Sequence, residues 1–155
     1  MGYYLGSFSL WHWLIVLILI AVPSIFIFRK PPAGPNRFGG PAEPMGFGQA
    51  IGSYFKNYVN FRGRASRSEF WYSALFLSLV AIALLAVDRS ETLNRIWSLA
   101  TFLPWIAVAA RRLHDVNRSG WQQLLGFLFP VGTIAVLVWY CRAPTADHSR
   151  EAVFA

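Results

Sequence analysis

The sequence predicts an all-α integral membrane protein, a small helical bundle with four spans and one amphipathic helix in the membrane interface. Three observations predict it. Hydrophobic residues make up 55% of the chain and charged residues only 14%, a balance unlike that of a soluble domain. The apolar residues gather into runs long enough to cross a bilayer. The positive charges, which bring the net charge to +7, sit at the ends of those runs, where anionic headgroups are nearer partners than nucleic acid.

Leu10 to Phe28 is the first run, broken in polarity only by His12 and Ser24, with Pro23 as a candidate kink. At 1.5 Å per residue it reaches about 28 Å, enough for the hydrocarbon core. No charged residue precedes Arg29, so the basic start of a cleaved signal is lacking and the run reads as an uncleaved anchor. Trp11 and Trp13 suit an aromatic belt at one end, while Arg29 and Lys30 mark the other as cytoplasmic.

Residues 31 to 48 are rich in proline and glycine and read as a linker. This divides the chain into an anchor (1–30), the linker (31–48), a membrane core (49–141) and a short polar tail (142–155). At the head of the core, Phe47, Ile51, Tyr54, Phe55, Tyr58 and Phe61 recur at helical steps, with Gln49, Ser53, Lys56, Asn57 and Asn60 on the other face. Too short and too polar to cross, this helix is expected to lie in the interface, the alternative being a helix packed on the end of the bundle.

The second span is Phe70 to Val87, the third Leu93 to Ala110 with Pro104 near its middle, and the fourth Trp121 to Cys141 with a Pro130-Val131-Gly132 break halfway. Lys and Arg number seven between Arg29 and Glu69 and three between Arg111 and Gly120, against four elsewhere. The positive-inside rule then places both basic stretches in the cytoplasm and both termini outside.

Those stretches, Phe61 to Trp71 and Arg111 to Trp121, gather most of the polar chemistry and read as loops. Ser66 with Glu69 and Ser119 with Gln122 each fit the capping box that opens a helix. Arginines beside a helix N-terminus are unfavourable unless an anion joins them, the candidates being lipid phosphate, a phosphorylated ligand, or the chain's own Glu69 and Asp115. The single cysteine, Cys141, excludes an internal disulfide, and His12, His114 and His148 are too scattered for a metal site.

Two resemblances follow. Gly6 to Val16, with its Ser-Leu-Trp-His-Trp-Leu centre, resembles the opening of the A subunit of the twin-arginine translocase, although prolines replace the basic amphipathic helix which that family needs. Tyr58 to Trp71, then Leu103-Pro104-Trp105, Ala107-Val108, Arg111-Arg112-Leu113-His114-Asp115 and Arg118-Ser119-Gly120-Trp121, resemble the bacterial inner-membrane family called domain of unknown function 805. That resemblance covers about residues 48 to 141 and implies a small multi-pass inner-membrane protein without assigned activity, cofactor or catalytic residues. The family's Asn-Arg-Phe/Tyr-Gly tail is missing after the last span, yet Pro35-Asn36-Arg37-Phe38-Gly39 is similar to it. If that string serves the same face as the tail, the fourth segment would be a hairpin broken at Pro130 to Gly132; the charge count favours a full crossing.

Three functional readings result. The first is a structural or binding protein that engages anionic headgroups, a membrane protein partner or its own copies through a cytoplasmic-face cluster of Arg62, Arg64, Arg67, Glu69, Arg111, Arg112, His114, Asp115, Arg118 and Ser119. The second, a small-anion transporter or channel, lacks a charged residue in the middle of any span. The third, a headgroup-modifying enzyme using His114 and Asp115, lacks a nucleophile and a metal set, and adjacent side chains rarely face each other. The first is preferred, without catalysis or cofactor.

Overall fold

A computed structural model describes residues 34–88 and 91–147. The predicted anchor and its translocase-like opening lie outside the described residues. Within them the order is α1 (Phe47–Lys56), α2 (Arg67–Val87), α3 (Thr92–Asp115), a 3-10 helix (Gly120–Phe127) and α4 (Val131–Cys141).

The two long helices follow the apolar runs. At 1.5 Å per residue α2 and α3 reach about 32 and 36 Å, enough to cross a hydrocarbon core of about 30 Å. Only 11% of the apolar window of α2 and 33% of that of α3 is buried within the protein. The core helix of a soluble protein would be mostly covered; here Leu75, Leu79, Ile82, Ile96, Leu99 and Phe102 face outward, a surface suited to lipid. The two helices run antiparallel, with Phe70 beside Trp105 and Phe76 beside Trp97.

Ser66 caps α2 by accepting from the Glu69 amide at 3.2 Å. The reciprocal half of the expected capping box is absent, because the Glu69 carboxylate turns inward to Ser53 and Arg111. At the other end Asp88 accepts from the Leu93 amide at 2.8 Å and so caps α3 from across the turn.

The Arg111 stretch is not a loop through Asp115: α3 continues for five residues beyond its expected end at Ala110. Polarity there marks a buried site, not an irregular backbone. The helix stops in a Schellman motif, with the Arg118 amide on the Leu113 carbonyl at 2.9 Å and the Asn117 amide on that of His114 at 3.0 Å. Asn117 takes the left-handed conformation this requires, at φ 57°.

Pro104 lacks the amide that would otherwise bond the Ala100 carbonyl. That carbonyl accepts instead from the Tyr58 hydroxyl, and the neighbouring Thr101 carbonyl from Tyr54 at 2.8 Å. Burial, with Tyr58 nearby, pushes the Tyr54 phenol above its ordinary range, so it stays protonated as the donor. These bonds, and the packing of α1 on α2, make α1 part of the bundle as well as an amphipathic element. Its expected polar face is also revised, since Ser53 points at Glu69.

The fourth apolar segment is not one helix. It opens as the 3-10 helix, breaks at Leu128 to Pro130 and resumes as α4. Ser119 makes no side-chain cap there, so the second expected capping box does not form. Gly120 and Gly132 permit the close approaches: an added Cβ would lie 2.8 Å from that of Ala110 and 1.9 Å from the Leu125 carbonyl oxygen, respectively. The segment leaves from the end of α3 at Gly120 and comes back to it, where the Tyr140 and Arg142 carbonyls meet Arg112. It is a hairpin. Residues 142–147 stay at that end, with the Thr145 amide on the Asp115 carbonyl at 3.0 Å, whereas charge counting favoured a segment that reaches the opposite end.

Candidate functional site

The site is the end of the bundle where α2 begins and α3 finishes. Antiparallel packing sets Arg64 and Glu69 on one side opposite Asp115 and Arg111 on the other. Arg64 Nε lies 2.9 Å from Asp115 Oδ1, and Arg112 Nη1 binds Asp115 Oδ2 from one turn earlier on α3. Arg111 Nη1 lies 2.8 Å from Glu69 Oε1, which also accepts from Ser53 at 2.8 Å.

Every one of these charged side chains is at most 5% exposed. An isolated charge so far from water would be prohibitive, and only pairing with further hydrogen bonds makes the arrangement tenable. Arg112 spends its remaining donors on the Tyr140 and Arg142 carbonyls. Arg64 reaches the Gly34 and Gly39 carbonyls at 3.0 and 3.2 Å. Arg64 and Arg112 thus each tie Asp115 to a backbone segment elsewhere. The α3 dipole adds to this, since Arg112 and His114 occupy the last helical turn.

Beneath the charges lies the aromatic core, with Phe70 between Trp105 at 5.1 Å and Tyr140 at 4.4 Å between ring centroids. Above them lies the string Pro35 to Gly39. Asn36 donates to the His114 carbonyl at 2.9 Å, and Phe38 stacks on the His114 ring at 3.9 Å and 7°. The tail-like string therefore packs on the same end as the motif stretches.

Of the residues singled out in the sequence, Arg64, Glu69, Arg111, Arg112 and Asp115 form the network, and Arg67 is buried beside it. His114 sits at its edge, where Nδ1 donates to the Gly63 carbonyl at 3.0 Å. The structure does not bring the others in. Arg62 is exposed, Ser119 only heads the 3-10 helix, and Arg118 lies over the Trp139 ring at 4.1 Å. Sequence reasoning missed Asn36, Ser53, Arg142 and Thr145. Only Asn36 had a signal, the similarity of its string to a tail motif.

Residues 58–150 match the family described as protein of unknown function DUF805, and the chain belongs to that family. Two proteins of Escherichia coli strain K12 are similar to it. Inner membrane protein YhaI is 41% identical over 103 residues, covering 63% of this chain and 87% of its own. Inner membrane protein YhaH is 40% identical over 105 residues, covering 61% and 86%. No solved structure matches.

Proposed function

We propose that this is a multi-pass protein of the bacterial inner membrane, with its Arg/carboxylate end in the cytoplasm, that holds anionic headgroups or a membrane protein partner at that end without catalysis. The names of the two relatives and the lipid-suited surface of α2 and α3 support the location. The excess of Lys and Arg around the motif stretches supports the orientation.

The observation that carries the functional part is the buried network itself. Its carboxylates are engaged by arginines and its His114 ring is held by Gly63 and Phe38, an arrangement that fixes shape more readily than it moves protons. Arg111 keeps two buried donors, Nε and Nη2, without a partner among the described residues. Such donors suit a bound anion or water at the inner edge of the network.

Native mass spectrometry of the protein purified from its own membranes, compared with Arg111→Ala and Arg64→Ala, tests this. The expected result is an anionic lipid or a protein partner on the wild type that is depleted in the variants. A wild type carrying neither would overturn the reading.

A further inference from the structure

The paired arginines are only part of the positive charge at this end. A separate cavity of about 460 Å³ opens beside the end of α3, lined by Arg37, Arg118 and Arg142 together with Asn117, Gln122 and Thr145. Its size falls within the ~300–1,000 Å³ of small-molecule sites. Among the described residues, none of the three guanidiniums is in an ion pair and no carboxylate lines the cavity.

Two of the arginines are positioned without being neutralised. Arg37 Nη2 donates to the Asn117 carbonyl at 3.1 Å, and Arg118 rests on Trp139. Like charges gathered on one cavity repel, and an anion removes that repulsion while accepting several guanidinium bonds at once.

We propose that this cavity binds a phosphate group on Arg37, Arg118 and Arg142. The inference rests on the anion-holding role proposed above and gives it a place and a ligand class. A phosphoglycerol lipid headgroup and a free glycerol phosphate share this chemistry.

The test uses the full chain in phosphatidylcholine nanodiscs, with phosphatidylglycerol included in one arm and glycerol 3-phosphate titrated into the other. Arg118→Gln and Arg142→Gln are compared with wild type and with Arg95→Gln at the opposite end. Arg142 is exposed, so its variant is expected to keep the fold even if Arg118→Gln does not. Losing one charge-assisted bond should weaken binding roughly tenfold in the cavity variants and leave Arg95→Gln unchanged. Phosphatidylglycerol retention lost in the variants identifies a lipid source; glycerol 3-phosphate binding lost in them identifies a soluble one. Retention equal in wild type and both variants overturns the cavity while leaving the broader reading standing, and no retention of either probe overturns the cavity and headgroup binding together.

Discussion

The two ends of the α2–α3 pair carry the same kinds of charge and use them oppositely. At the far end Arg95 and Glu91 form an i,i+4 pair at 4.0 Å, with side chains 79% and 62% exposed. At the motif end Arg64, Arg112 and Asp115 lie at 1% exposure or less. Water already solvates the first pair, so its partners gain little from each other. The second group has no such alternative, and each member depends on the others. Burial, not the number of charges, separates an ornament of the surface from a determinant of the fold.

Substitutions should separate the two ends in order of size. Asp115→Asn leaves Arg64 and Arg112 buried without their carboxylate and should cost about 3–5 kcal/mol, seen as lost folded protein in detergent thermal melts. Gly132→Ala forces a Cβ against the Leu125 carbonyl and should cost about 1–3 kcal/mol, with the hairpin becoming protease-sensitive while α2 and α3 persist. Tyr54→Phe removes one buried hydrogen bond near Pro104 and should cost about 1 kcal/mol in the same melts. Glu91→Gln should change stability by only about 0.3 kcal/mol and vanish from the melts at high salt. An equal cost for Glu91→Gln and Asp115→Asn would abolish the distinction between the ends.

The sequence made the long helices legible, because α2 and α3 follow long, predominantly apolar runs and Ser66 caps as its type and position foretell. It also brought five of the network residues to notice through their unusual density of charge. What stayed hidden were the consequences of tertiary contact. Arg111 to Asp115 reads as a loop only while its charges are assumed to face water; paired with Glu69 and Arg64 they extend the helix. Ser53 looks like a surface residue on α1 until Glu69 is placed beside it. The anion cavity joins Arg37 to Arg142, and no local pattern relates residues so far apart. The hairpin misled the charge count because Arg142 and Arg150 are too few to overrule the closures made by Gly120, Gly132 and Arg112.

The central claim is that the buried network holds the hairpin so that residues 142–147 lie on the motif side. Cysteine labelling with a membrane-impermeant maleimide tests it most directly, using Glu91→Cys and Thr145→Cys separately in a Cys141→Ala background. Both positions are exposed on the protein and lie at opposite ends of the bundle. The account predicts that Glu91→Cys labels in intact spheroplasts and Thr145→Cys only after lysis. Labelling of both from the outside would mean that residues 121–141 cross the membrane after all, and would contradict it.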